Sequence, residues 1–193
     1  MEGEGSSLEI EVKLRAGSAD EALERLARLP ATLDQGRLFE DNDVFDTPDG
    51  RLKRAECLLR LRVVDTRGIL TFKEKVETAM RAKVRTEVQT AVGSPEAIRG
   101  ILTKLGLVRV YRYQKYRSYH GWTEPESGAR LSISLDDTPI GIFIELEGDM
   151  TAIDRAARRM GYGEADYIVE DYRALHIAWL HQRGLPAGDM VFP

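Results

Sequence analysis

Apolar and charged residues alternate without a break along Leu8-Glu9-Ile10-Glu11-Val12-Lys13-Leu14. That is the period-2 pattern of a strand with two unlike faces. Glu9, Glu11 and Lys13 share one face, their Cα atoms spaced roughly 7 Å apart. The pattern then recurs. Residues 58–63 set Arg60 beside Arg62, residues 69–75 set Lys73 beside Lys75, and residues 83–89 align Lys83, Arg85, Glu87 and Gln89. Residues 108–119 place Lys115 and Arg117 on the face of Tyr111 and Tyr113. Leu131, Ile133 and Leu135 alternate with Ser132, Ser134 and Asp136, and Ile142, Ile144 and Leu146 with Phe143, Glu145 and Glu147. A further extended segment over residues 37–45 ends in the turn Asp46-Thr47-Pro48-Asp49-Gly50, where Pro and Gly set the backbone angles. The expectation is eight strands.

Helical spacing appears between them. Ser18 and Glu21 form a capping-box pattern, followed by Ala22, Leu23, Leu26, Ala27 and Leu29 and stopped by Pro30. Ser94-Pro95-Glu96 opens a second helix carrying Ile98, Ile101, Leu102 and Leu105, with Gly106 at its end. A third runs from about Thr151 to Gly161, and a fourth from about Glu170 to Arg183, with Tyr172, Leu175 and Trp179 on its stripe. Residues 1–7 read as a flexible tail, 8–184 as one domain, and 185–193 as a loose C-terminal tail.

Eight antiparallel strands can close into a barrel, which gives one face to the interior. The charged faces then either coat an oily barrel or line a tunnel wrapped by apolar faces and helices. Four amphipathic helices need an apolar partner, and the outward strand faces supply it. The expected fold is α+β: an eight-stranded antiparallel barrel with a charged interior and helices packed outside.

Composition narrows the class. At 193 residues and 42% hydrophobic content, the chain can bury a proper core. Its single Cys57 excludes an internal disulfide and favours a reducing compartment. No apolar run approaches the roughly 20 residues of a membrane span, and the acidic start is unlike a signal peptide. A cytoplasmic protein with no membrane partner is expected. The net charge of −4 does not recommend a nucleic-acid backbone as partner.

If the polar faces converge, Glu9, Glu11, Glu87, Asp136, Glu145 and Glu147 meet Lys13, Arg60, Arg62, Lys73, Lys75, Arg85, Lys115 and Arg117. Enclosed charge is costly without compensation. The mixture suits a polyanion entering with a divalent cation, carboxylates taking the metal and Arg and Lys the phosphate oxygens. Hard oxygen donors without Cys/His spacing point to Mg²⁺ or Mn²⁺. His120, His176 and His181 are too scattered for a metal site. Asp46 and Asp49 serve the turn, and the β-strand tyrosines read as packing.

These motifs resemble the CYTH family, the triphosphate tunnel metalloenzymes: class IV adenylyl cyclases, thiamine triphosphatases and inorganic triphosphatases. The likeness rests on Glu-x-Glu-x-Lys at residues 9–13, Phe45-Asp46-Thr47-Pro48, Leu59-Arg60-Leu61-Arg62 and Thr71-Phe72-Lys73-Glu74-Lys75. It continues through Arg85-Thr86-Glu87, Lys115-Tyr116-Arg117, Leu135-Asp136 and Phe143-Ile144-Glu145-Leu146-Glu147. In order, these run from about residue 8 to 180.

The resemblance implies a tunnel holding a triphosphate and two divalent cations, Mg or Mn. Glu9, Glu11, Glu145 and Glu147 match the metal-binding acids, with Asp136 and Glu87 as further ligands or holders of metal-bound water. Lys13, Arg60, Arg62, Lys73, Arg85, Lys115 and Arg117 match the phosphate clamp, with Lys75 near its rim. Glu9, Glu11, Lys13, Arg60, Arg85 and Glu87 are the residues it implies for catalysis. Gln89 departs from the family, which often has a second acid there. The implied activity is hydrolysis of a linear triphosphate (ATP, thiamine triphosphate or inorganic triphosphate). Conversion of ATP to cyclic AMP and pyrophosphate is the alternative, and non-catalytic polyphosphate binding a third reading. A clamp of mutually repelling cations also implies that Arg60→Met or Lys73→Met should not lower ligand-free stability.

Overall fold

The computed structural model describes residues 7–79 and 81–193. The tail expected over residues 1–7 lies outside them except for Ser7, which opens the first strand, and Met80 also lies outside. The strands are β1 (Ser7–Ala16), β2 (Thr32–Asp46), β3 (Cys57–Val64), β4 (Arg67–Lys75), β5 (Lys83–Val92), β6 (Val108–Thr123), β7 (Arg130–Thr138) and β8 (Gly141–Glu147). The helices are α1 (Ala19–Leu26), α2 (Arg51–Arg54), α3 (Pro95–Lys104), α4 (Met150–Met160) and α5 (Tyr172–Gln182). The strands pair antiparallel in the order β1-β5-β4-β3-β2-β6-β7-β8, and β8 pairs back onto β1 to close the ring. No described helix is long and apolar enough to cross a membrane.

Closure separates the two faces of each strand. Outward, Val12, Leu14, Leu131, Ile133, Ile144 and Leu146 pack against Ala22 and Leu26 of α1 and Ile153, Ala156, Ala157 and Met160 of α4. On the far side, Leu102 and Ile98 of α3 cover Phe45, Leu61, Val63 and Leu70. Each fully buried aliphatic side chain contributes about 1.5–3 kcal/mol, so the oily side of the sheet faces helices and the charged side faces inward.

The local signals act as their chemistry requires, with two differences. Ser18 Oγ accepts from Glu21 N at 3.1 Å, but the Glu21 carboxylate returns to Gly17 N at 2.8 Å, one residue upstream of the expected box. The helix ends at Leu26, short of Leu29, and β2 begins at Thr32 instead of Arg37. The turn after β2 runs on into α2, because Asp46 accepts from Leu52 N at 2.8 Å and Lys53 N at 3.0 Å. Gly161, at φ +86°, supplies the left-handed residue that ends α4.

The C-terminal stretch expected to be loose is docked. β7 meets β6 only from Tyr116 onward, leaving the first part of β6 with a free edge. Met190 fills it: its N–H donates to Arg112 O at 3.0 Å, and its carbonyl accepts from Gln114 N at 2.8 Å. Its side chain is fully buried beside Tyr111, Tyr113, Phe143 and Tyr172. An unsatisfied strand edge and an apolar tunnel end together recruit the tail. Met190→Ala should therefore cost about 2 kcal/mol and lower the melting temperature by roughly 4–8 °C. An unshifted melting curve would mean the tail adds nothing to the fold.

Candidate functional site: the charged tunnel

Cross-strand register decides what faces inward. Glu11 stands opposite Lys83 on β5 and Glu147 on β8; Glu9 stands opposite Arg85, and Lys13 opposite Glu145. Around the ring, Lys73 is opposite Glu87, Arg60 opposite Thr71, and Arg117 opposite Asp136. The structure thus brings nearly all the sequence-derived residues to one lumen. Glu9, Glu11, Lys13, Arg60, Lys73, Lys115, Arg117 and Asp136 are buried. Glu147 stays exposed at one mouth. Lys75 sits at the opposite rim, where its ammonium bonds Glu56 at 2.8 Å.

Most interior charges are paired. Lys13 bonds Glu11 and lies 3.4 Å from Glu145. Lys73 bridges Glu9 at 2.6 Å and Glu87 at 2.7 Å. Lys115 meets Asp136 at 2.9 Å, and Arg117 meets both Asp136 and Glu145. Against the penalty of burial, Lys13 and Lys83 hold the Glu11 carboxyl well below its usual range. Arg117 and Lys13 do the same for Glu145. Glu9 moves the other way, because burial and the Glu11 charge outweigh Lys73.

Glu147 has no ion pair among the described residues, and its pKa is pushed up to about 7 by burial and then by Glu9, Glu11 and Glu145. Glu147 keeps contact with water while those three carboxylates crowd it. No three acids among the described residues converge as a metal cluster. The donor chemistry nevertheless fits a hard divalent cation: Glu9, Glu11, Glu145 and Glu147 lie on adjoining strands, and two of them are driven toward protonation. Asp136 differs from these four. Its oxygens accept from Lys115, Arg117 and, at 2.5 Å, Tyr172 Oη.

Arg60 and Arg85 stand apart from the paired cations. Neither has a carboxylate within 4 Å among the described residues, and the Nε atoms of both are buried without a hydrogen-bond partner. Arg60 reaches only Tyr113 Oη at 3.3 Å and Thr71 Oγ1 at 3.4 Å. Arg62 bonds Tyr119 Oη at 3.0 Å and approaches Glu40 at 3.5 Å.

Several lumen residues were not foreseen. Glu40 and Asn42 of β2, both fully buried, face inward beside Lys115 and Arg62. The outward Asp41 and Asp43, which bond Arg112 and Arg99 on the surface, hide that alternation by making the whole stretch polar. Tyr172, assigned to a helix stripe, enters the lumen from α5, with Lys13 5.4 Å and Lys115 5.1 Å from its ring centroid. With Phe143, Tyr111 and Met190 it closes that end. Tyr113 and Tyr119, read as packing, bond the clamp arginines. His176 is structural, its Nδ1 2.9 Å from Tyr111 Oη. Gln89 lies opposite Thr71 but is exposed.

Lys83 was placed on the β5 face but not among the site residues. It lines a cleft of about 360 Å³ with Lys75, Arg85 and Asp171, and its Nζ is 4.0 Å from Glu11. Burial brings its pKa down to about 8 despite Glu11, with Lys13 and Arg85 adding to the fall.

The closed antiparallel sheet thus gathers cations and acids from all eight strands into one tunnel. The chain belongs to the CYTH family, whose domain its residues 7–168 match. No curated protein matches the sequence. Among solved structures it is similar to a candidate adenylate cyclase from Vibrio parahaemolyticus, at 19% identity and TM-score 0.71, over 90% of this chain and 99% of that one. A Pyrococcus horikoshii protein is similar at 22% identity and TM-score 0.68, covering 85% and 96%. So is a candidate adenylyl cyclase from Hippeastrum, described as having a dominant triphosphatase activity, at 16% identity and TM-score 0.53, covering 94% and 89%. At these identities the likeness is one of fold.

The pairing pattern corrects the idea of a uniformly repelling clamp. Lys73→Met strands Glu9 and Glu87, and should lower ligand-free stability by about 3 kcal/mol, or roughly 6–12 °C. Arg60→Met strands no carboxylate and should leave the melting temperature unchanged or higher. Equal losses in the two variants would contradict the pairing described.

Lys83 gives a pH signature. The unfolded chain keeps this proton to about pH 10.5 and the folded chain only to about pH 8. Between these values the unfolded state binds more protons, so rising pH stabilises the fold. Wild-type protein should gain stability relative to Lys83→Met from pH 8 to 10.5. Parallel pH–stability curves would refute the depressed pKa.

Proposed function

We propose that the protein is a divalent-metal-dependent phosphohydrolase acting on the triphosphate group of an organic or inorganic triphosphate. The observation that carries this reading is the pair Arg60 and Arg85, cations on the lumen wall whose buried Nε atoms have no hydrogen-bond partner and which have no carboxylate within 4 Å among the described residues. An unpaired enclosed charge costs several kcal/mol, and an anionic ligand would supply the missing partner. Membership of the CYTH family and the fold shared with a Hippeastrum triphosphatase support it.

In this reading Arg60, Arg62, Arg85, Lys73, Lys115 and Arg117 take phosphate oxygens, with Lys13 and Lys83 beside the acids. Lys75 meets the anion at the rim. Glu9, Glu11, Glu145 and Glu147 hold Mg²⁺ or Mn²⁺, which supplies charge neutralisation at the phosphates. Glu87 shares Lys73 with Glu9 and keeps that ammonium at the clamp. Phosphoryl transfer depends on position and charge more than on covalent help. Fixed cations and an apolar stopper therefore account for most of what this lumen must do. The cyclase alternative draws on the fold shared with the Vibrio protein.

Phosphate and cyclic AMP release, measured over ATP, thiamine triphosphate and inorganic triphosphate, separates the three readings. Phosphate release is expected with Mg²⁺ or Mn²⁺ and none in excess EDTA; full turnover in chelator removes the metal assignment. Glu9→Gln and Glu11→Gln should each lower turnover by about 100-fold or more while the circular dichroism spectrum stays native. Binding without either product would leave a polyphosphate-binding module.

A further inference from the structure

Among the described residues, three buried polar atoms on the β2 wall have no hydrogen-bond partner: Glu40 Oε2, whose nearest cation is the Lys115 ammonium at 3.8 Å, and Asn42 Oδ1 and Nδ2. Both residues are completely enclosed, and they sit two apart on one strand, on the same inward face. Such atoms are costly to leave unmet, and three of them side by side call for a small polar occupant.

Their chemistry identifies it. An ionised phosphate chain offers acceptors only, so it can satisfy Asn42 Nδ2 but neither of the two orphaned oxygens. Glu40 cannot take up a proton to become a donor. Although burial alone would raise its pKa, Arg62, Lys115 and Arg117 hold it well below the usual carboxylate range. Its other oxygen is filled by Tyr119 Oη at 2.8 Å. The occupant must therefore donate two hydrogens while resting against a phosphate. Water does this.

We infer that Glu40 and Asn42 hold the attacking water of the proposed hydrolysis, an assignment that rests on the reading above. Glu40 Oε2 and Asn42 Oδ1 accept its two hydrogens and leave its lone pair aimed into the lumen. β2 lies four strands from β1 in either direction around the ring, so the water faces the Glu9–Glu11 wall with the substrate between. The water oxygen bonds to the terminal phosphorus, and the bond from that phosphorus to the bridging oxygen breaks, its electron pair leaving on the diphosphate. One water proton stays on the new phosphate as its hydroxyl, and the other ends on the departing diphosphate.

The test uses full-length protein with Mg²⁺ and inorganic triphosphate, comparing Glu40→Gln and Asn42→Leu with wild type. Binding is read separately, as the melting-temperature shift with imidotriphosphate, whose bridging nitrogens resist hydrolysis. The expected result is a kcat lower by roughly 100-fold in each variant, with KM and the imidotriphosphate shift within about threefold of wild type. Asn42→Leu, which removes two unsatisfied atoms at similar volume, should melt no lower than wild type without ligand. It keeps the test decisive if Glu40→Gln, which unbalances Arg62 and Lys115, does not fold. A raised KM with kcat intact would make these residues substrate contacts and overturn the assignment, as would unchanged kinetics. Cyclic AMP formation from ATP, with no phosphate release from any triphosphate in wild type, would sink the hydrolase reading as well. Unchanged phosphate release in the variants sinks this inference alone.

Discussion

Charge enclosed by a closed sheet must be compensated inside it. Water cannot reach Lys13, Lys115 or Asp136 freely, so each must find its counter-charge across a strand or a turn of the ring. The register meets this demand at most positions, setting Lys13 against Glu145, Lys73 against Glu87 and Arg117 against Asp136. The lumen then divides into two populations. Paired residues hold one another in place with no ligand present, while Arg60, Arg85 and the β2 amide are left uncompensated.

The same closure explains the outside. A strand that turns its charges inward must turn Val, Leu and Ile outward, and these faces are stable only under cover. α1 and α4 cover the β1–β8–β7 sector, and α3 covers β3 and β4. The helices are therefore the apolar half of a bargain struck by the tunnel: without them the sheet would expose a wide oily surface. Among the described residues, apolar side chains gather inside the ring at one end, where Tyr111, Phe143, Tyr172 and Met190 meet.

Much of this was legible because the alternation is strict where it matters. Residues 8–14, 58–62 and 142–147 announce both their extended form and their charged face, and family resemblance turned those faces into one lumen. What escaped notice had physical reasons. In β2, outward acids on a bulged strand mask the inward Glu40 and Asn42. Tyr172 satisfies a helical period as well as any core residue, and nothing local shows that its hydroxyl reaches Asp136. Pairing between cations and acids is set by cross-strand register, which no single strand encodes. Hence Lys73 and Arg60 look equivalent in sequence and differ in place. The C-terminal residues looked loose because no period marks them; an unpaired edge on β6, far away in sequence, holds them.

That edge has a wider meaning. The CYTH match ends at residue 168, yet Tyr172 and Met190, which stop one end of the lumen, both come later. The wall and its stopper are thus built from separate parts of the chain. The bore is fixed by eight paired strands, where any change must respect register on two sides. Its depth is set by a helix and a tail held by far fewer constraints. A lineage could lengthen or shorten the chamber by altering the last residues alone, while leaving every charge on the wall where it is.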